Sequence, residues 1–423
     1  MRAVLTNFGT MGDLQPFLAL AREMKRRGHE PALAFPPTFK KRIEDFGIEF
    51  FPIGKDMQAV QRHIISTMLE VKNTADRLRS MFGPLIAELP RALADLREAC
   101  RTADVLVGGP AQPAARMVHE LTGINFVSVQ MAMLYGSGPP SLKEASAALI
   151  NPIRRQLGLP ALANPLTIDA NSPQLALYAM SRRVSPPPAA WPPHYHMTGY
   201  FFLDDEQWQP DERLLEFING GPPPVVITFG STTHQDPESL TEIILAAVKQ
   251  ARCRAIIQQG WSGLAQRRLP DEVAAVGYAP HHWLFKRAAC VVHHGGAGTA
   301  AAAYRAGAPS IFIPHGPSFR AELARELGCV GPTVSYWELS GEKLGAAISA
   351  TISNPAYYEA ARDLEEKINA ERGVERACQL IEALVAGDMR QQKSAEADDA
   401  RADDRHHRTL KRKSYLQQRR VRR

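Results

Sequence analysis

Three times along this chain a short apolar run ends in a glycine-bearing turn and restarts as a helix. The first run is Arg2–Thr6, followed by Asn7-Phe8-Gly9-Thr10-Met11-Gly12-Asp13 and a helix expected over 16–27, stopped by Gly28. The second is 225–229, followed by Gly230-Ser231-Thr232-Thr233 and a helix over 240–250. The third is Cys290-Val291-Val292, followed by His293-His294-Gly295-Gly296-Ala297-Gly298-Thr299 and a helix over 299–305. Neighbouring parallel strands need a long crossover, usually helical, so this grammar implies βαβ units. Strands expected at 30–36, 105–107, 125–129, Ala255–Gln258 and 310–313 continue it.

Two breakers divide the pattern. Ser185-Pro186-Pro187-Pro188-Ala189-Ala190-Trp191-Pro192-Pro193 and Gly220-Gly221-Pro222-Pro223-Pro224 suit neither a helix nor a central strand. The expected fold class is therefore α/β, with two facing Rossmann-like doubly wound domains over 1–200 and 201–387. A tail over 388–423 is expected to be disordered and basic. Long helices are expected within 56–100, at 58–69 and 85–100. The stretch 130–165, rich in Pro, Ala and Met, is expected to be irregular. Both segments are expected above the carboxyl ends of the first sheet, where ligands bind in such folds.

The charge lies in the tail. Residues 389–423 hold twelve Lys or Arg against five Asp or Glu, while the whole chain of 423 residues is only +6. The rest is close to neutral, which removes the electrostatic case for nucleic acid as a partner. Clustered basic residues suit weak contact with an anionic membrane instead. Five dispersed cysteines form no CxxC pair and read as reduced thiols. No apolar run has the length of a membrane span, and residues 2–7 do not read as a signal peptide, so a cytoplasmic protein is expected.

The third turn carries the strongest chemistry. The first amides of a helix are unpaired and lie at the positive end of its dipole, and glycines let a ligand approach them. That suits a phosphate. The turn Gly230-Ser231-Thr232 has the same form, and two such turns suit one diphosphate. Trp261 and Tyr278, between them, are candidates to stack on a nucleobase, with surface packing as the alternative. Asp13 is a candidate general base, with helix capping as a compatible second role.

The run 259–328 resembles the nucleotide-sugar signature of the UDP-glycosyltransferase superfamily, nearest its bacterial natural-product and sterol glucosyltransferase members. The matching pieces are Gly260-Trp261, Ala279-Pro280-His281-His282-Trp283-Leu284-Phe285, His293-His294-Gly295-Gly296-Ala297-Gly298-Thr299 and Ala306-Gly307-Ala308-Pro309. Gly9-Thr10-Met11-Gly12-Asp13 resembles the family's first loop, and Trp191-Pro192 with Thr198-Gly199-Tyr200 its interdomain stretch. The resemblance implies the GT-B fold, with acceptor bound by the first domain and donor by the second. It implies an inverting transfer of a hexose or deoxyhexose from UDP or dTDP to a hydroxyl of a lipophilic small molecule, without cofactor or metal.

By position, Asp13 is then the catalytic base. Gly12, Ser231, Thr232, Trp261, Tyr278, Ala279, His281, His293, Gly295, Gly296, Ala297, Gly298 and Thr299 serve the donor. Two departures stand out. Gly108-Gly109-Pro110 occupies the place where relatives with a histidine base carry an Asp partner. Pro314-His315-Gly316-Pro317-Ser318 replaces the Asp-Gln pair that usually binds the sugar hydroxyls. A nucleotide-sugar epimerase of the same fold and a non-catalytic nucleotide-sugar-binding helper remain as alternatives. A nicotinamide dehydrogenase does not fit, because the first loop lacks the Gly-x-Gly-x-x-Gly spacing.

Overall fold

The computed structural model describes residues 1–56, 74–132, 140–188, 190–230, 236–260, 263–315 and 319–388. Contacts gather the described residues up to 378 into one compact unit, and the described residues 379–388 fall outside it. The helix expected at 58–69 and the tail beyond 388 lie outside the described residues.

The larger unit holds two wholly parallel sheets. The first contains β1 (Arg2–Thr6), β2 (Glu30–Phe35), β3 (Glu49–Pro52), β4 (Val105–Gly108), β5 (Asn125–Gln130), β6 (Leu175–Tyr178) and β7 (Tyr195–Met197). Their spatial order is β3-β2-β1-β4-β5-β6-β7. The second contains β8 (Val225–Thr228), β9 (Ala255–Gln258), β10 (Val273–Val276), β11 (Cys290–His293) and β12 (Ser310–Phe312), in the order β10-β9-β8-β11-β12. Strands β1, β4, β8 and β11 are buried along nearly their whole length, as expected of sheets covered on both faces. Each sheet reverses its order once, between β1 and β4 and between β8 and β11. Those reversals fix where a ligand crevice opens.

Three sequence expectations change. The first helix spans Met11–Arg26, not 16–27. Thr10 caps it and Asp13 sits in its first turn, so Pro16 falls inside the helix, where it removes a single backbone bond. The expected irregular stretch 130–165 contains a helix at Pro140–Gln156, again with an internal proline, Pro152. The helix expected at 85–100 runs over Thr74–Ala99. Its buried residues Leu89, Ala92, Leu93 and Leu96 pack with Met117, Val118 and Phe126 under the first sheet.

Candidate functional site

The reversal between β8 and β11 assembles the turns singled out from sequence. Gly230 follows β8 with φ +59°, and Gly260 follows β9 with φ +51°. A Cβ on Gly260 would strike the Gly230 carbonyl oxygen, so two backbones touch there and only glycine serves. After β11, a Cβ on Gly296 would come 2.6 Å from His294 Nε2, and one on Gly230 would lie 3.5 Å from His294 Cε1. The His294 ring is thus held between the two glycine turns. Gly296 caps the helix Ala297–Arg305 without any side-chain hydrogen bond. Gly298 is exposed with open space where a Cβ would stand, and Thr299 is buried. In the first turn of this helix Gly298 is therefore accessible, between the buried Gly295 and Thr299.

His293 occupies a different place from His294. It is the last residue of β11, in register with Thr228 and Phe312, and its side chain is wholly buried. Its Nδ1 accepts the Gly295 N–H at 3.1 Å, so the proton of the neutral ring sits on Nε2. Nε2 has no hydrogen-bond partner among the described residues. Burial, helped by the neighbouring His294 and His281, pushes His293 down to about 3. The strand pattern carried the signal: the buried run from Cys290 continues through His293, and His294 is the first side chain of the turn. The sequence reading put the weight on His293.

A depressed imidazole has a consequence for acid stability. The unfolded chain takes up a proton near the ordinary value of 6.5 that folded His293 refuses until about 3. Stability is therefore full above pH 6.5 and declines as the pH falls below it. By pH 5 the loss from this one ring is about 2 kcal/mol. Denaturant midpoints at pH 7.5 and 5 should show this decline, and His293→Gln should remove its share. An equal pH slope in that variant would contradict the buried neutral imidazole.

The other donor candidates separate. Gln258, at the end of β9, donates to the Ala279 carbonyl at 2.7 Å and presents its Oε1 to His281 Nε2 at 3.0 Å. His281 also stacks on Phe285 at 4.3 Å, and burial pushes it down to about 4. Ala279 and His281 are thus tied to each other. Tyr278 is half-exposed, with its hydroxyl 3.3 Å from Asp205 and 3.4 Å from Arg42. Arg42 also pairs with Asp205 at 3.0 Å. The preceding residue, Asp204, takes Arg305 in two bonds of 2.6 and 2.8 Å, and its carbonyl accepts from Arg22. The linker carboxylates thus join helices of the first sheet to the far end of the helix that starts at Ala297. Ser231, Thr232 and Trp261 lie outside the described residues.

At the other reversal, Asp13 follows β1. Its Oδ2 accepts the Thr10 N–H at 2.7 Å and the Thr10 hydroxyl at 3.1 Å. Oδ1 accepts nothing among the described residues. Burial raises the carboxyl above its ordinary range, against the opposing effect of the two Thr10 bonds. Gly9, at φ +141°, makes room: a Cβ there would overlap the Asp13 carboxylate. Gly12 beside it is exposed. The neighbouring loop is closed to a second acid. A Cβ on Gly109 would collide with the buried Asn7 side chain, whose Oδ1 takes the Ala111 N–H at 3.2 Å. One on Gly108 would come 2.6 Å from the Ala115 methyl.

Comparison with known proteins agrees with these features. Residues 3–135 match the model of the glycosyltransferase family 28 N-terminal domain, and residues 242–384 match that of the erythromycin biosynthesis protein CIII-like C-terminal domain. The O-mycaminosyltylonolide 6-deoxyallosyltransferase of Streptomyces fradiae is 32% identical, over 90% of this chain and 97% of its own. The chain belongs to the UDP-glycosyltransferase superfamily. A sterol 3-beta-glucosyltransferase of Neurospora crassa is 30% identical over 90% of this chain, which spans only 27% of that longer protein. The calicheamicin glycosyltransferase CalG4 superposes with a TM-score of 0.71 at 19% identity, over 91% of this chain and 98% of its own. The glycosyltransferase VinC, solved with dTDP, superposes with a TM-score of 0.61 at 21% identity, over 91% and 99%. The two parallel sheets are those of a GT-B glycosyltransferase. No helix among the described residues is long and apolar enough to cross a membrane.

Proposed function

We propose that this glycosyltransferase moves a hexose or deoxyhexose, with inversion and without a metal, from UDP or dTDP to a hydroxyl of a lipophilic small molecule. One observation carries the reading. The helix Ala297–Arg305 opens, uncapped by any side chain, at the β8–β11 reversal. Its first amides, with Gly295, Gly296, Ala297, Gly298 and Thr299 around them, suit the diphosphate. His294, lodged between both glycine turns, is the better-sited donor to a phosphate oxygen, and His293 supports the turn from below.

The acceptor hydroxyl gives its proton to Asp13 Oδ1 as its oxygen attacks the anomeric carbon. The bond from that carbon to the phosphate oxygen breaks, and the nucleoside diphosphate leaves. Negative charge grows on the leaving phosphate, where the helix start and His294 stabilise it. Thr10 holds Oδ2, so Oδ1 remains the basic atom. The acceptors named in the relatives, a tylonolide and sterols, support a lipophilic aglycone. Five free cysteines suit a reducing compartment, and we place the reaction in the cytoplasm.

The test is incubation with UDP-glucose or dTDP-6-deoxyglucose and a panel of macrolide and sterol alcohols, read by mass spectrometry. A product heavier by one glycosyl residue is expected. Sugar-nucleotide turnover without any acceptor would favour the epimerase reading. Nucleotide-sugar binding with no turnover of any kind would favour the helper protein.

A further inference from the structure

The linker between the two sheets carries two consecutive carboxylates, and each aspartate is held from both sides. Asp204 meets the Arg305 guanidinium in two bonds, and His282 Nδ1 lies 3.7 Å from the same carboxylate. Its carbonyl accepts from Arg22 at 3.0 Å. Asp205 pairs with Arg42 and accepts the Tyr278 hydroxyl. Arg22 and Arg42 belong to the helices that follow β1 and β2. Arg305 ends the helix after β11, and Tyr278 lies in the turn after β10. Aromatic rings hold the arginines in place. Arg22 and Arg42 both lie over Phe46, 5.5 and 4.8 Å from its centre, and Arg305 lies 4.5 Å over Phe202. Burial works against the charge on Asp204, but the Arg305 guanidinium outweighs it and holds the carboxyl below its ordinary range.

The linker is touched at another place by the chain returning from the second sheet. A Cβ on Gly373 would stand 2.5 Å from the Tyr200 carbonyl oxygen, so the two backbones are in contact there. Beside them Ser181 donates to the Glu371 carboxylate at 2.8 Å. One such contact leaves two bodies free to rock about it. Asp204 and Asp205 add a second fastening a few residues along.

The helices gripped at Asp204 are the two that carry the proposed chemistry. Asp13 lies about 14 Å along its helix from Arg22, and Gly298 about 10 Å along its own from Arg305. Over such lengths a helix bends little, so tying the far parts of the two helices sets the distance between their starts. Building on the proposed base and donor site, we propose that Asp204 and Asp205 are positioning residues that fasten the first sheet to the second and hold Asp13 in register with the bound donor.

Stability is not their main contribution. Ion pairs as exposed as Asp204–Arg305, at 35% and 25%, add little on their own. A two-bond guanidinium–carboxylate pair instead fixes direction. Register carries more weight in the rate, since a displacement of about 1 Å costs as much as about 100-fold.

The experiment compares wild type with Asp204→Ala, Asp205→Ala, the double variant and Arg305→Lys. Glycoside formation gives kcat and the donor KM, calorimetry gives dTDP and UDP affinity, and thermal melting reports the fold. The double variant should lose about 10–100-fold in kcat, with donor KM and nucleotide affinity within about threefold of wild type. Arg305→Lys keeps the charge without the fork and should fall between the two. If the double variant melts below the assay temperature, the single variants decide by the same split. A kcat within threefold of wild type overturns the proposal, even where melting shifts. Nucleotide affinity that falls as far as kcat also overturns it, because the pair would then shape the donor helix alone. A wild type that binds neither nucleotide overturns the donor site itself and this inference with it.

Discussion

Asp13→Asn should lower turnover by roughly 10²–10⁴-fold and leave donor affinity within about threefold of wild type. The amide keeps an oxygen for the Thr10 N–H that Oδ2 now accepts at 2.7 Å, so the helix start survives. What disappears is the ability to take a proton at Oδ1. Stability should stay within about 1 kcal/mol. Burial disfavours the carboxylate at this site, and the neutral amide escapes that cost. The same raised carboxyl sets the pH profile. The base works only when ionised, so turnover should rise with pH through a value above the ordinary 3.8, and that limb should vanish in the amide variant. Gly9→Ala should reproduce much of the loss, since its methyl would take the space of the Asp13 carboxylate. Turnover within threefold of wild type in Asp13→Asn would make the residue a cap alone.

His294→Ala should weaken nucleoside diphosphate binding by about 10–150-fold, the worth of one hydrogen bond to a charged group. His293→Ala should act differently. Its ring is wholly buried against Phe312 at 4.5 Å and holds the Gly295 N–H. Removing it leaves a cavity and an unpaired amide, so the first effect is on stability, by about 2–4 kcal/mol. Gly296→Ala offers a third view, because its Cβ would meet His294 Nε2 at 2.6 Å and force the ring aside. It should resemble His294→Ala in binding while keeping the fold. If His293→Ala loses affinity at full stability and His294→Ala does not, the two histidines have been assigned in the wrong order.

The strands that frame both crevices were legible because they are short buried runs ending in glycine, as at Thr228–Gly230 and His293–Gly296. Strands β3, β6, β7 and β10 escaped notice. Each has three or four residues, and β3 is only partly buried, so its pattern is faint. Helix bounds failed where proline misled: Pro16 and Pro152 both lie inside helices that tertiary packing sustains. The difference in burial between His293 and His294 was beyond motif matching, since it depends on where the strand ends and the turn begins. The pair Asp204–Arg305 was hidden for another reason. Its members are 101 positions apart and meet only through the path of the linker.

The central claim is that the uncapped helix start at Gly296 is a nucleoside diphosphate site. Its most direct test is calorimetric titration of the full chain with UDP and dTDP, with and without a metal chelator. We predict binding of at least one of them with a Kd in the micromolar range, about −8 kcal/mol, unchanged by the chelator. Absence of binding by both nucleotides, or binding that appears only with a divalent cation, would contradict the account.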